Sequence, residues 1–422
     1  MVALEKEPAI APAPISGKRA PILYLSFDGL LEPLGRSQIL RYLCGLSRRG
    51  FPYTVISLER ESDLADITSV RELERELQAH GVRWIHLSFR TGGVKAVSRN
   101  CSKVFRAARA AIRRDGIRLI HARSYVPASI GWILRLIYGT PYLFDMRGYW
   151  VDELADEGRW FTNRFAYKIG KQIEKILIRD STAITTLTEI QANDIRAGLS
   201  TKARQKPIEV ITTCADYDDF NPSRPLRGVV PGPLRARFEG KLTVGLVGAI
   251  NTSYLLNESL LLFSRLLEER PDAHLICLTR QVSEMKALLG QHGIPEEAYT
   301  LTSVPHGDMS EWLRHMDWAL LLMKTGYSKR GSMPTKLAEF FAAGVRPIQY
   351  GCNAEVSQKV REASSGIVLR SLAPEHLSDV ARKVAATALL AEDAMKARDL
   401  TRSHFSLQAG VEKYEALLNK VQ

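Results

Sequence analysis

From residue 22 onward the chain alternates short, nearly all-apolar runs with longer stretches whose apolar positions recur every three or four residues. The first kind fits strands buried on both faces, and the second fits amphipathic helices. ILYLSF, YTVISLE, VRWIHLSF, IRLIHAR, PYLFDMR, AITTLT and EVITTC read as seven strands. Helical spacing marks RSQILRYLCGLSRRG, residues 64–80, 96–114, PASIGWILRLIYG and about 160–178 between them. Such alternation predicts a parallel sheet covered by helices on both sides. Pro, Gly and Arg then interrupt the pattern in NPSRPLRGVVPGPLR, and a second series follows: TVGLVGAI, HLICLT, YTLTSV, WALLLM, RPIQY and GIVLR. The expected fold is α/β, with two doubly wound, Rossmann-like domains facing across a cleft. Residues 1–20, rich in Ala and Pro, are expected to be a disordered lead-in. Residues 21–220 are the expected first domain, 221–238 a linker, 239–401 the second domain and 402–422 a final helix. Ligands of doubly wound sheets bind outside the carboxyl ends of the strands, so the strand-end loops carry the candidate chemistry.

Length and composition support this division. At 422 residues, two cores of ordinary size are expected, and 45% hydrophobic with 25% charged residues suffices to build and cover them. The apolar stretch IGWILRLIYG is far shorter than the roughly 20 residues of a membrane helix. The N-terminus lacks the basic start and apolar region of a signal peptide, so cytoplasmic residence is expected. Cys44, Cys101, Cys214, Cys277 and Cys352 are scattered without paired spacing and read as reduced core residues, not a disulfide frame or a zinc site. The net charge of +12 suits nucleic acid, anionic lipid or phosphorylated small molecules. Neither zinc-finger spacing nor a basic helix with a zipper accompanies it, so nucleic acid is not an expected partner.

The richest segment is SKRGSMPTKLAEFFAAG, residues 328–344. Ser332, Pro334, Thr335 and Lys336 fall where a helix begins, ahead of Leu337, Phe340 and Phe341 at helical spacing. A helix start exposes unpaired N–H groups and the positive end of the dipole, which suits phosphate. Glu339 follows Thr335 by four residues, on the same face, within reach of a sugar hydroxyl beside such a phosphate. Lys329 and Arg330 add charge to the entering loop. The plainer alternative is a capped, partly buried helix behind a solvated basic loop.

Other candidates lie at strand ends. The loop from Asp28 to Gln38 opens the first helix, and Gly29 and Gly35 permit close backbone approach to a ligand. Its glycines do not form the G-x-G-x-x-G dinucleotide fingerprint. His121 is expected at the end of the fourth strand, facing the cleft mouth or held as a structural residue. Asp145 and Arg147 end the fifth strand, and are either paired with each other or turned toward ligand. Arg280 and the SVPH segment are candidate nucleotide contacts of the second domain. DYDD at 216–219 contains an Asp-x-Asp that elsewhere holds a divalent metal, but it precedes the linker, and no metal site is expected. On residues 160–180, Phe161, Phe165, Ile169, Ile173 and Leu177 form an apolar stripe expected to pack into the core. Arg164, Lys168, Lys171 and Lys175 flank it, in a pattern that also fits contact with an anionic membrane.

Several fragments in this order and spacing resemble one family: SFDGLLEPLGRSQ, IHARS, FDMRGYW, TLTE, ITTCADYDDF, SVPHGDM and SMPTKLAEFFAAG. From about Ile22 to the C-terminus the chain is similar to GT-B glycosyltransferases of the family 4 type. The resemblance implies sugar transfer from a nucleotide-sugar donor, UDP-linked in expectation, to a hydroxyl of a glycan, lipid-linked or small-molecule acceptor. It implies no cofactor, since the nucleotide sugar is a co-substrate, and it favours retention of anomeric configuration. Under it Gly35, Arg280, Lys329, Arg330, Ser332, Thr335, Lys336 and Glu339 are donor-binding candidates, while His121, Asp145 and Arg147 are catalytic or acceptor-positioning candidates. Asp145 is a possible base if the reaction inverts. The final helix would cross back onto the first domain. One departure stands out: the family commonly carries two glutamates eight positions apart, and here Glu339 is matched by Gly331. A sugar-nucleotide epimerase of the same architecture and a catalytically degenerate nucleotide-sugar binder are the alternatives.

Overall fold

The computed structural model describes residues 19–158, 164–200, 205–250 and 253–422; residues 1–18 of the expected lead-in lie outside this set. The first domain is built on β1 (Ile22–Leu25), β2 (Tyr53–Arg60), β3 (Arg83–Phe89), β4 (Leu119–Arg123), β5 (Tyr142–Met146), β6 (Ala183–Thr186) and β7 (Ile208–Val210). They form one parallel sheet in the order β3-β2-β1-β4-β5-β6-β7. The second is built on β8 (Thr243–Val247), β9 (His274–Leu278), β10 (Tyr299–Thr302), β11 (Trp318–Thr325), β12 (Arg346–Cys352) and β13 (Ile367–Val368). Its order is β10-β9-β8-β11-β12-β13, again parallel. Strand order reverses between β1 and β4 and between β8 and β11, which opens a crevice at the carboxyl end of each sheet. Every residue of β1, β4, β5, β8 and β9 is buried. Their apolar runs follow from helices on both faces.

Each sheet is sandwiched between two apolar clusters. The expected helix over 64–80 is divided at Asp66, whose carboxylate accepts from Ser69 N–H and caps Ile67–Ala79. The segment expected as a linker is strapped to the second domain. Val230 and Phe238 are buried with Trp312 and Met316, and the N–H groups of Arg227 and Val229 donate to Glu311 at 2.6 and 2.9 Å. Tyr217 and Phe220, just before it, share that core.

The C-terminal segment forms two helices, Ala391–Phe405 and Leu407–Val421, separated at Ser406, which caps the second. Helix 407–421 returns to the first domain, where Tyr414 meets Tyr42 edge-on at 5.2 Å. Close approach depends on Gly45 and Gly410. A Cβ on Gly45 would stand 2.7 Å from Val411 Cγ2, and one on Gly410 2.7 Å from the Tyr42 ring. Among the described residues no helix is long and apolar enough to cross a membrane.

Candidate functional site

On the second domain the site is organised by β8 and the helix Thr335–Ala343. β8 ends at Val247, and Gly248 follows with φ of 116°, a conformation that favours glycine. Lys336 Nζ occupies the space a Cβ on Gly248 would need, and lies 4.1 Å from the centre of the Tyr254 ring. Pro334 is the N-cap and Thr335 the first helical residue. The N–H groups of Thr335 and Lys336 therefore have no intrahelical acceptor. Ser332, Thr335 and Lys336 are all partly exposed. Glu339, one turn inside, is 8% exposed. Burial, opposed by the charge of Lys336, pushes its carboxyl up to about 7.

That shift has a measurable consequence. A carboxyl with a folded pKa above its ordinary 4.5 stabilises the fold below that value and loses the contribution as pH rises through 7. The loss amounts to about 3 kcal/mol. Glu339→Gln is therefore expected to raise the melting temperature near pH 8 and to change it little near pH 5. Thermal melts at the two pH values check this, and an equal offset at both would show that the carboxyl is not so perturbed.

The loop leading into this helix is bolted to the first domain. Lys329, a donor-binding candidate whose plainer alternative was a solvated loop, is buried, and its Nζ meets Glu153 Oε1 at 2.7 Å and Ser253 Oγ at 3.0 Å. Arg330 makes a two-pronged pair with Asp194 at 2.8 and 3.0 Å, and its carbonyl accepts from Thr188 Oγ1 at 2.9 Å. Asn353 Nδ2 donates to the carbonyls of Lys329 and Ser332 at 2.8 and 2.7 Å. The rings of Tyr149 and Tyr327 meet across the seam, 5.3 Å apart and tilted by 32°. Arg280 stands apart, exposed beyond the end of β9.

Gly331 faces Gln191 of the first domain. A Cβ there would stand 2.9 Å from Gln191 Cδ and Nε2. Gln191 is fully buried, and neither atom of its carboxamide has a hydrogen-bond partner. An unsatisfied buried polar group costs about 1–3 kcal/mol. Sequence reasoning missed this residue, because an isolated Gln on a helix carries no signal of its own.

On the first domain the strand ends hold a charged cluster. β4 and β5 are in register, with Arg123 beside Asp145 and His121 beside Leu143. Asp145 is 1% exposed, accepts from Thr185 Oγ1 at 2.8 Å, and lies 3.6 Å from Arg123 Nη1 and 3.5 Å from Arg147 Nη1. Burial alone would raise its pKa, but Arg147, Arg123, His121 and the Thr185 hydrogen bond outweigh it and hold the carboxyl below the usual range. Asp145 and Arg147 thus are paired with each other, one of the two alternatives read from the sequence. Arg123, overlooked in the sequence, joins them. It is 4% exposed and donates from Nε to Asp28 Oδ2 at 2.9 Å, and Asp28 is open to solvent.

His121 does not end its strand or face the cleft mouth. It sits in the middle of β4, 2% exposed, enclosed by Tyr24, Tyr53 and Tyr414 with ring centres 4.5, 6.3 and 5.3 Å away. Burial lowers its pKa to about 4, so it is neutral at physiological pH. The strand ends two residues later, at Arg123, the last residue of the run IRLIHAR.

The loop 28–38 is anchored by Glu59 of β2, fully buried, which accepts from the N–H groups of Leu30 and Leu31 at 2.8 and 3.1 Å. The close approach that Gly35 permits is to the backbone of Gly29, and that of Gly29 is to Glu59. Asp216 and Asp218 are engaged elsewhere. Asp216 Oδ1 accepts from the N–H groups of Asp218 and Asp219, while Arg41 and Arg402 pair with the two carboxylates. They line a cavity of about 290 Å³ against helix 407–421, and none of the donor-binding candidates lines it. Among the described residues no cluster of three His, Cys, Asp or Glu is arranged for a metal.

Residues 35–214 match the model of the glycosyl transferase 4-like domain. HepE of Anabaena, solved with UDP and glucose, superposes with a TM-score of 0.69 at 13% identity, over 95% of this chain and 100% of that one. Sucrose-phosphate synthase of Thermosynechococcus elongatus gives 0.68 at 13%, over 95% and 99%. A Listeria monocytogenes protein described as a UDP-N-acetylglucosamine 2-epimerase gives 0.63 at 9%, over 95% and 96%. No curated protein matches the chain in sequence. At such identities the structural likeness establishes the architecture alone. Residues 35–214 thus match a glycosyl transferase 4-like domain, within a chain that has the two-domain GT-B architecture.

Proposed function

We propose that the protein transfers a sugar from a UDP-linked donor to a hydroxyl of a lipid-linked or glycan acceptor, with retention and without a metal or other cofactor. The observation that carries this reading is the arrangement of Gly248, Lys336 and Glu339. It offers free N–H groups and a fixed cation for a diphosphate, with a carboxyl one turn away for a sugar or ribose hydroxyl. The bond from the anomeric carbon to the diphosphate breaks, the bond to the acceptor oxygen forms on the same face, and the acceptor proton passes to the departing phosphate. Asp145 suits the alternative role of base poorly, being enclosed and paired with arginines.

A membrane-borne acceptor is favoured by the first domain's surface. The helix Arg164–Asp180 leaves Phe165, Ile169 and Ile173 exposed at 71, 45 and 42%, contrary to the expected core stripe, of which Leu177 alone is buried; Phe161 lies outside the described residues. On the neighbouring helix Tyr125–Tyr138, Leu136 and Ile137 are exposed at 67 and 55%. Exposed Arg164, Lys168 and Lys175 flank them. An apolar strip between cations matches an anionic lipid surface.

One experiment addresses both parts: incubation with a panel of nucleotide sugars, with and without vesicles containing anionic lipid. Slow donor hydrolysis and sedimentation with the vesicles are expected. Sugar interconversion would identify an epimerase, and binding without turnover a degenerate binder. Failure to sediment with anionic vesicles would remove the membrane.

A further inference from the structure

Gly331 leaves the donor loop without a side chain at the position next to the start of the helix Thr335–Ala343, and the first domain supplies one there. Gln191 is placed by its own helix, Glu189–Gly198, whose cap Thr188 accepts from Gln191 N–H at 3.2 Å while donating to the Arg330 carbonyl. The neighbouring pair of Arg330 with Asp194 locks that helix to the donor loop. The carboxamide is therefore held against Gly331 by contacts that do not use its own oxygen or nitrogen.

Other polar atoms at this seam are in the same condition. Glu355 Oε1 and Ser328 Oγ are buried without partners, although Glu355 Oε2 accepts from Ile190 N–H at 3.3 Å. Buried polar atoms are ordinarily satisfied, so several unsatisfied ones along one seam mark a place completed by something else. A carboxamide offers a donor and an acceptor together, which matches the vicinal hydroxyls of a sugar.

We propose that Gln191 is a sugar-reading residue: when the seam opens to admit the donor, its carboxamide hydrogen-bonds the hydroxyls of the transferred sugar, in place of the side chain that Gly331 lacks. This rests on the reading of the second domain as the donor side. It divides recognition of one donor between the domains, with diphosphate on the second and sugar on the first, so closure reports the presence of a sugar.

The test uses Gln191→Leu, which fills the same volume without polar atoms, and Gln191→Met as a second, more adaptable replacement. Calorimetry with the nucleotide sugar hydrolysed fastest in the panel, and with its free nucleoside diphosphate, is run beside thermal melts. The expected result is a loss of about tenfold in affinity for the nucleotide sugar, with free diphosphate affinity within about twofold and a melting temperature no lower than wild type. Unchanged affinity for the nucleotide sugar overturns the proposal. So does an equal loss for both ligands with a lowered melting temperature, which would make Gln191 a structural residue of the seam. If Lys336→Ala leaves both affinities untouched, the donor reading itself is wrong and this inference falls with it. If Lys336→Ala weakens both ligands and the Gln191 variants weaken neither, the role of Gln191 alone is overturned.

Discussion

Replacing Lys336 with alanine is expected to lower kcat/KM for sugar transfer by at least about a hundredfold, equivalent to about 2–4 kcal/mol of lost transition-state stabilisation. The ammonium is positioned by close contact with Gly248 and by the face of Tyr254. It is well placed to meet charge that grows on a departing diphosphate, where a preformed cation acts more strongly than in water. Stability should change little, since Lys336 is only partly buried. Gly248→Ala is expected to reproduce the defect, because the new methyl group would claim the place of Nζ and displace it. Its φ of 116° adds strain of its own, so melts must accompany the kinetics. Glu339→Ala should impair donor use to a similar extent, through the lost hydroxyl partner. Steady-state kinetics on the three variants is the measurement. Near-normal rates for both Lys336→Ala and Glu339→Ala would move the donor site away from this helix.

Asp145→Ala is expected to destabilise the fold by about 3–5 kcal/mol, because it strands buried positive charge. Arg123 would keep Asp28 as a partner, but Arg123 Nη1 and Arg147 would lose the carboxylate between them. The variant is thus a poor probe of acceptor binding, and Arg147→Ala, at a more accessible position, is the better one. If the loss reflects stranded charge, adding Arg123→Met to the Asp145→Ala background should restore a large part of it, since a buried pair replaced whole is tolerated far better than a pair broken. Denaturant titration of the single and double variants decides. A single variant as stable as wild type would mean that the cluster is hydrated and loosely held.

Much of the architecture was legible because a doubly wound sheet writes itself into the chain. Strands covered on both faces must be apolar throughout, and helices lying on a sheet must be apolar on one side. The thirteen strands therefore stand out, as does the helix start at Thr335, where Pro334, a basic loop and an apolar face coincide. The elements around Asp145 were equally visible, since charged residues closing an apolar strand need partners.

What the chain alone determined is which segments are strands and helices, their order in two halves, and which strand ends carry charge or glycine. Only the tertiary structure decided which of those groups meet. Periodicity shows that a helix has an apolar face but not how deeply it is buried, so the stripe at Phe165, Ile169 and Ile173 was read as core and is exposed. Alternation along β4 places His121 and Arg123 on one face, but only the docking of helix 407–421 closes Tyr414 over His121. Lys329 and Arg330 were legible as cations; their carboxylate partners, Glu153 and Asp194, come from the other domain. Gln191 acquires its meaning from a glycine 140 positions away in the chain. Contacts between distant segments depend on how two finished domains fit together, and local patterns of polarity hold no record of that fit.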